Sequence, residues 1–248
     1  MKNDNRPLII GHRGHEFGPE NSVDSFLEAA ECGAEMLELD VWLTGDGVPI
    51  VYHDEFLSSS GAEPKRIAEY RAAAVEILQL PGGGRIPTLE SVLVEVLPKV
   101  PLNIELKYFD LNYRPLVRAV LALLHRYQAL ERVLVSSFFH QSLEVVNWEN
   151  PGVATAPIFG VPTGPPHRQD MEKLAARGEQ RGLPSFQRPT AVVDYLMLTE
   201  EVVTEFKESN LALIAYTVDQ PDDMRRIADL GVEGIITKRP AVLREVLG

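Results

Sequence analysis

Short apolar, β-branched runs alternate with stretches of helical periodicity along nearly the whole chain. Strands spaced by helices in this way predict a parallel sheet covered by helices. The runs are Leu8–Gly11, Met36–Leu43, Val48–His53, Leu102–Leu106, Val133–Ser137, Val153–Phe159, Val192–Leu198, Leu211–Val218 and Gly234–Thr237. Helices are expected over Val23–Cys32 (capped by Asn21 or Ser22 and closed by Gly33), from about Thr88, over Arg114–Tyr127, near Gln141–Asn147, and over Glu200–Ser209, Asp222–Leu230 and Ala241–Val246. A Pro- and Gly-rich stretch separates Val153–Phe159 from Val192–Leu198.

A closed barrel of this class takes eight strands, one fewer than the runs counted. Met36–Leu43 and Val48–His53 resolve the surplus, because Thr44-Gly45-Asp46-Gly47 between them is far too short for a parallel crossover. Asp46-Gly47 instead predicts a two-residue hairpin turn with φ > 0 at both central positions. In that register Gly45 pairs with Val48 and Asp40 sits opposite His53. The expected fold is a TIM-type (β/α)8 barrel with a β-hairpin and a small helical insertion, residues 54–85, after the second barrel strand. With no repeat, linker or low-complexity tract between its halves, the chain of 248 residues reads as a single catalytic domain, 1–248.

Composition narrows the function classes. No stretch approaches the roughly 18 apolar residues of a membrane span, so stable membrane insertion is not expected. The N-terminus lacks the pattern of a secretory signal, and a lone Cys32 excludes an internal disulfide; cytoplasm is the expected compartment. A net charge of −12 speaks against a nucleic-acid partner, which needs a basic surface, but not against a small phosphodiester bound beside local cations.

Three segments carry chemistry. Gly11-His12-Arg13-Gly14 ends the first strand, placing an imidazole and a guanidinium at the carboxyl end, where barrel active sites lie. Met36-Leu37-Glu38-Leu39-Asp40-Val41 puts two carboxylates on one face of an apolar strand. Either that face is solvated, or the carboxylates hold a metal or a cationic partner, since burying two like charges costs several kcal/mol. Oxygen ligands suit a hard ion such as Mg²⁺ or Ca²⁺. Asn103-Ile104-Glu105-Leu106-Lys107 repeats the alternation with an acid and a base, read as a plain ion pair or as a third oxygen ligand beside a phosphate-binding ammonium. His53-Asp54 ends the hairpin strand with a second imidazole. Two imidazoles, three carboxylates, Arg13 and Lys107 at strand ends are the set required for phosphodiester hydrolysis by acid–base catalysis with a divalent cation.

The run His-Arg-Gly, Pro-Glu-Asn, Glu-x-Asp, His-Asp and Asn-Ile-Glu-x-Lys, from Ile10 through Lys107, resembles the glycerophosphodiester phosphodiesterases. Weaker likeness continues through Ser136-Ser137-Phe138, Tyr216-Thr217-Val218-Asp219 and Gly231–Thr237. The resemblance implies a TIM-type barrel. It further implies Glu38, Asp40 and Glu105 as ligands of one divalent cation, His12 and His53 as the acid–base pair, and Arg13 and Lys107 on the phosphate. The implied substrate is a small glycerophosphodiester, hydrolysed to glycerol 3-phosphate and an alcohol. Lysophospholipase D activity and a non-catalytic barrel for phosphorylated ligands are the alternatives. Tyr216 and Asp219, where the family commonly has Trp and Asn, shape the alcohol side of the pocket. Lys238 replaces the usual Asp or Asn after Thr237, and the Arg-Thr-Thr-rich run after His53-Asp54 is missing, so the choice of alcohol stays open.

Overall fold

The computed structural model describes residues 6–57, 63–108, 112–161 and 163–248. In chain order the elements are β1 (Leu8–His12), α1 (Val23–Glu31), β2 (Met36–Leu43), β3 (Pro49–Val51), β4 (Phe56–Leu57), β5 (Lys65–Arg66), α2 (Ala72–Val75), α3 (Leu89–Glu95), β6 (Leu102–Leu106), α4 (Arg114–Arg126) and β7 (Val133–Ser137). They continue with α5 (His140–Glu149), β8 (Ala154–Phe159), α6 (Arg168–Ala175), β9 (Thr190–Asp194), α7 (Glu200–Glu208), β10 (Ala212–Tyr216), α8 (Pro221–Leu230), β11 (Gly234–Thr237) and α9 (Pro240–Leu247).

Eight parallel strands run in the order β1-β11-β10-β9-β8-β7-β6-β2, and the β1–β2 pairing closes the circle. The expected barrel is therefore present. β3 adds to β2 antiparallel, as the short connection requires. Burial follows the pleat. Ile9, Leu37, Leu39, Leu102, Ile104, Val133 and Val135 pack outward against the helices, whereas Ile10, Met36, Leu134, Ala156, Val192, Ile214 and Ile236 fill the interior. Above Met36 on the same inward face stand Glu38 and Asp40, and above Leu134 stands Ser136. The interior is thus apolar at its amino end and polar at its carboxyl end.

The hairpin departs from expectation by one residue. Val41 pairs with Val51 and Leu43 with Pro49, so Tyr52 rather than His53 lies opposite Asp40, its N–H donating to the Asp40 carbonyl at 3.0 Å. The loop is three residues long, closed by Thr44 N–H to Val48 O at 3.1 Å, with Gly47 alone at positive φ (82°). Asp46 stays out of the left-handed region because its carboxylate is occupied, accepting from Thr44 Oγ1 at 2.7 Å and from Ala72 N–H at 2.9 Å. A turn followed by one left-handed glycine is the usual three-residue hairpin loop.

Other differences are local. The expected helical insertion is a short β4–β5 ladder, a 3-10 turn over Ile67–Glu69 and the single-turn α2, packed with the hairpin around Trp42, Ile50, Leu57, Ile67, Val75 and Leu80; its residues 58–62 lie outside the described ones. The Pro- and Gly-rich stretch contains α6, whose first turn is held by His167 N–H to Asp170 Oδ2 at 3.0 Å and whose Met171 and Leu174 are buried. β9 begins two residues earlier than expected and ends at Asp194, which accepts from Leu196 N–H at 3.0 Å and turns the chain. Ser22, not Asn21, caps α1 by accepting from Ser25 N–H at 3.1 Å. No helix among the described residues is long and apolar enough to cross a membrane.

Candidate active site

Strand register brings the acidic residues together. His12 and Glu38 are partners across β1 and β2, while Asp40 and Glu105 are partners across β2 and β6. One carboxylate oxygen from each of Glu38, Asp40 and Glu105 lies within 4.8 Å of the others, and all three residues are buried. The sequence expectation that these acids share one place is met in the geometry.

Two cations are set into this group. Lys107, just beyond β6, places Nζ 3.0 Å from Asp40 Oδ1 and 2.6 Å from Glu105 Oε1. Arg13 follows the end of β1 with φ of 53°, its N–H bound to the Glu38 carbonyl at 2.9 Å. That left-handed backbone turns its guanidinium inward, where Nε lies 3.0 Å from Asp40 Oδ2. Asn21 adds a donor to the same oxygen at 2.9 Å. Asp40 is fully buried, which alone would raise its pKa, but Lys107 and Arg13 outweigh burial and hold it well below the usual carboxylate range. The other two acids receive less. Burial, reinforced by Asp40 and Glu105, pushes Glu38 well up; burial also raises Glu105 to about 7 despite Lys107.

A buried cluster of three acids and two bases that leaves two acids reluctant to ionise is short of positive charge. Glu38 Oε2 is buried with no hydrogen-bond donor among the described residues. All-oxygen donors with an orphaned member fit a hard divalent cation, and the acidic cluster can hold a metal ion.

The histidines differ. Burial, with Arg13 alongside, pushes His12 down to about 3, so its ring is neutral near pH 7. Its Nε2 lies 3.7 Å from Glu38 Oε2, and Nδ1 is buried without a partner. His53 is 42% exposed, with Nδ1 2.7 Å from Asp54 Oδ1. An ionised carboxylate can only accept, so Nδ1 donates and Nε2 is left for other partners. His53 lies beyond the β2–β3 ladder rather than opposite Asp40; a bend after Tyr52 carries it into a cavity of about 320 Å³ that Glu20, Asn21 and Lys238 also line.

Tyr216 ends β10 at the mouth of the barrel. With His12, Glu38, Glu105 and Phe138 it lines a hollow of about 20 Å³. Its hydroxyl donates to the Phe159 carbonyl at 3.2 Å, and a Cβ on Gly160 would stand 2.1 Å from the Tyr216 hydroxyl oxygen, so a glycine is needed where the ring crosses. Phe138 meets Tyr216 edge-on at 6.1 Å. Beneath, Ser136 Oγ donates to Asn103 Oδ1 at 2.8 Å.

All eight residues named from sequence thus lie at the carboxyl end of the barrel. Four others were given no role in the site: Asn21, Glu20, Asn103 and Phe138. Asn103 was accessible in principle, since it stands two residues before Glu105 and shares its face. Asn21 competed with Ser22 as a helix cap, and only the tertiary contact with Asp40 separates their jobs.

The sequence model of the Glycerophosphoryl diester phosphodiesterase family matches residues 12–242. The chain belongs to that family. A glycerophosphodiester phosphodiesterase of Caldanaerobacter subterraneus subsp. tengcongensis is 31% identical over 96% of each chain. A solved glycerophosphodiester phosphodiesterase from Parabacteroides distasonis superposes with TM-score 0.81 at 25% identity, covering 98% of this chain and 97% of that one. An Oleispira antarctica phosphodiesterase, solved in complex with the product sn-glycerol-3-phosphate, shares the fold at TM-score 0.82 and 22% identity, covering 97% of this chain and 96% of that one. As a member of the glycerophosphoryl diester phosphodiesterase family, the chain is a phosphoric diester hydrolase.

Proposed function

We propose that this chain hydrolyses small glycerophosphodiesters to glycerol 3-phosphate and an alcohol, with His12 and His53 as the acid–base pair and a divalent cation on Glu38, Asp40 and Glu105. The observation that carries the reading is the convergence of those three buried carboxylates beside Arg13 and Lys107. A cation bound there would supply charge neutralisation at the phosphate and would acidify the attacking hydroxyl. Arg13 and Lys107, both set against the acid cluster, offer donors to the non-bridging phosphate oxygens. One imidazole takes the nucleophile's proton while the other returns a proton to the leaving alkoxide. Burial of His12 keeps it neutral and able to accept, and the Asp54 contact orients His53 with Nε2 free. Tyr216 and Phe138 give the pocket one apolar wall. The Oleispira antarctica structure, which holds sn-glycerol-3-phosphate on the same fold, supports this product.

The test is release of glycerol 3-phosphate from glycerophosphocholine, glycerophosphoethanolamine and glycerophosphoglycerol, in excess chelator and after adding Mg²⁺ or Ca²⁺. Turnover restored by one of the ions is the expected result. Full turnover in chelator would remove the cation from the reading, and turnover confined to long-chain lysophospholipids would replace the substrate class.

A further inference from the structure

The loop between β1 and α1 is joined to the end of β11 at a point that the proposed chemistry leaves without a role. Glu16 N–H donates to the Lys238 carbonyl at 2.7 Å, and Arg239 Nε lies 3.0 Å from Glu16 Oε2. Lys238 N–H is taken by Asp219 Oδ1 at 2.8 Å, a carboxylate also bound by Thr237 Oγ1 at 3.0 Å. With its backbone held on both sides, Lys238 directs its ammonium to Glu20 Oε1. Glu20 Oε2 accepts from Arg13 Nη1 at 3.0 Å, and Arg13 Nε lies 3.0 Å from Asp40 Oδ2. Lys238, Glu20, Arg13 and Asp40 therefore form one chain of alternating charge, running from the last barrel strand to the acid cluster.

Arg13 is pulled from two directions. A guanidinium facing a buried carboxylate tends to turn two of its five N–H donors on it in a bidentate pair. Here Nη1 is bound by Glu20 while Nε lies against Asp40, so the group spans two acids and its orientation depends on both. Glu20 sits on a loop and its side chain is 41% exposed, so packing alone does not fix it. The second oxygen of its carboxylate is fixed by Lys238.

We propose that Lys238 and Glu20 are positioning residues that hold Arg13 in its phosphate-binding orientation. The inference rests on Arg13 as a phosphate contact. Lys238 acts through Glu20 and touches no reacting atom. Its removal leaves the acid cluster intact and lets the guanidinium rotate down onto Asp40.

A double-mutant cycle separates this from a direct or a structural role. Binding of glycerol 3-phosphate to the full chain in the presence of Mg²⁺ or Ca²⁺ is followed by calorimetry, with KM and kcat on a glycerophosphodiester alongside. Lys238→Met should weaken product binding and raise KM roughly tenfold, the size of a coupled contact, with kcat changed by less than about threefold. Lys238→Arg should restore most of the loss, and the melting temperature should barely move, because rim ion pairs contribute little to folding. In an Arg13→Met background, Lys238→Met should add less than about a twofold effect. Unchanged affinity in Lys238→Met overturns the proposal, as does an undiminished tenfold loss in the Arg13→Met background. If Arg13→Met alone binds product like the parent protein, the assignment of Arg13 to phosphate fails first, and this inference falls with it.

Discussion

His12 and His53 reach the mouth of the barrel in opposite surroundings, and that difference sets what each substitution should do. His12 is buried against Arg13 and Glu38, with Nδ1 unpartnered and its pKa pushed down to about 3. His53 is half in solvent and anchored by Asp54. If the two are the proton-transfer pair, His12→Ala and His53→Ala should each lower kcat by about 10²- to 10⁴-fold. Circular dichroism should show both variants folded. A loss below tenfold in either would remove that ring from proton transfer. The site was legible because its residues end a strand, alternate along one or, like His53, follow one closely: the pleat alone puts Glu38 with Asp40, and Asn103 with Glu105, on shared faces. Which strands are neighbours is another matter. Convergence of Glu38 with Glu105 depends on β2 pairing with β6, a long-range fact that no local spacing carries. Lys238 illustrates the limit, since it contacts Glu20 from 218 positions away.

Among the elements, the β2–β3 hairpin shows how a correct element can hide a wrong register. Asp46-Gly47 marks a turn in either case, and the two candidate loops differ by one residue in where pairing resumes. What decides between them is the Asp46 carboxylate, committed to Thr44 Oγ1 and to the N–H of Ala72 in the insertion. That second partner is 26 residues away and invisible to a turn rule. One residue of slip exchanges the faces of a strand, so His53 would have been carried away from Asp40 had the chain not bent after Tyr52. Gly47 carries the strain of this loop at φ 82°, with open space around the site of a Cβ. Gly47→Ala should therefore cost about 1–2 kcal/mol from the left-handed backbone alone, read from the midpoint of urea unfolding. Gly47→Asn should cost less, because a short polar side chain tolerates that region. Equal, negligible costs would mean that the loop adopts another conformation.

At the scale of the whole molecule, strand count and alternation were enough to give the barrel, because closure needs eight strands and the hairpin removed the ninth. α6 escaped notice because two prolines and a glycine at 164–166 precede it and its apolar face is only Met171 and Leu174. The acid cluster links this global fold to pH. Glu105 is raised to about 7 from an ordinary 4.5 by burial, and Glu38 is raised as well. For a carboxyl raised on folding, the native state binds more protons than the unfolded chain between the two pKa values. Glu105 therefore supports folding most below about 4.5, and its support is lost as pH rises through about 7; Glu38, raised by the same burial, contributes with the same sign. A cation held by the deprotonated cluster opposes the loss, and protons compete with it for the same oxygens. The gain in melting temperature on adding saturating Mg²⁺ or Ca²⁺ to chelator-treated protein should accordingly be small at pH 5.5 and grow toward pH 8. A change of about 1 kcal/mol in this difference corresponds to roughly 2–4 °C for a chain of this length, well within scanning calorimetry. Taking the difference between the two conditions at each pH cancels groups remote from the cluster, whose titration is the same with and without the ion. A gain that stayed flat or shrank as pH rose would mean that the cation binds elsewhere, and the three carboxylates would then need another explanation for their shared burial.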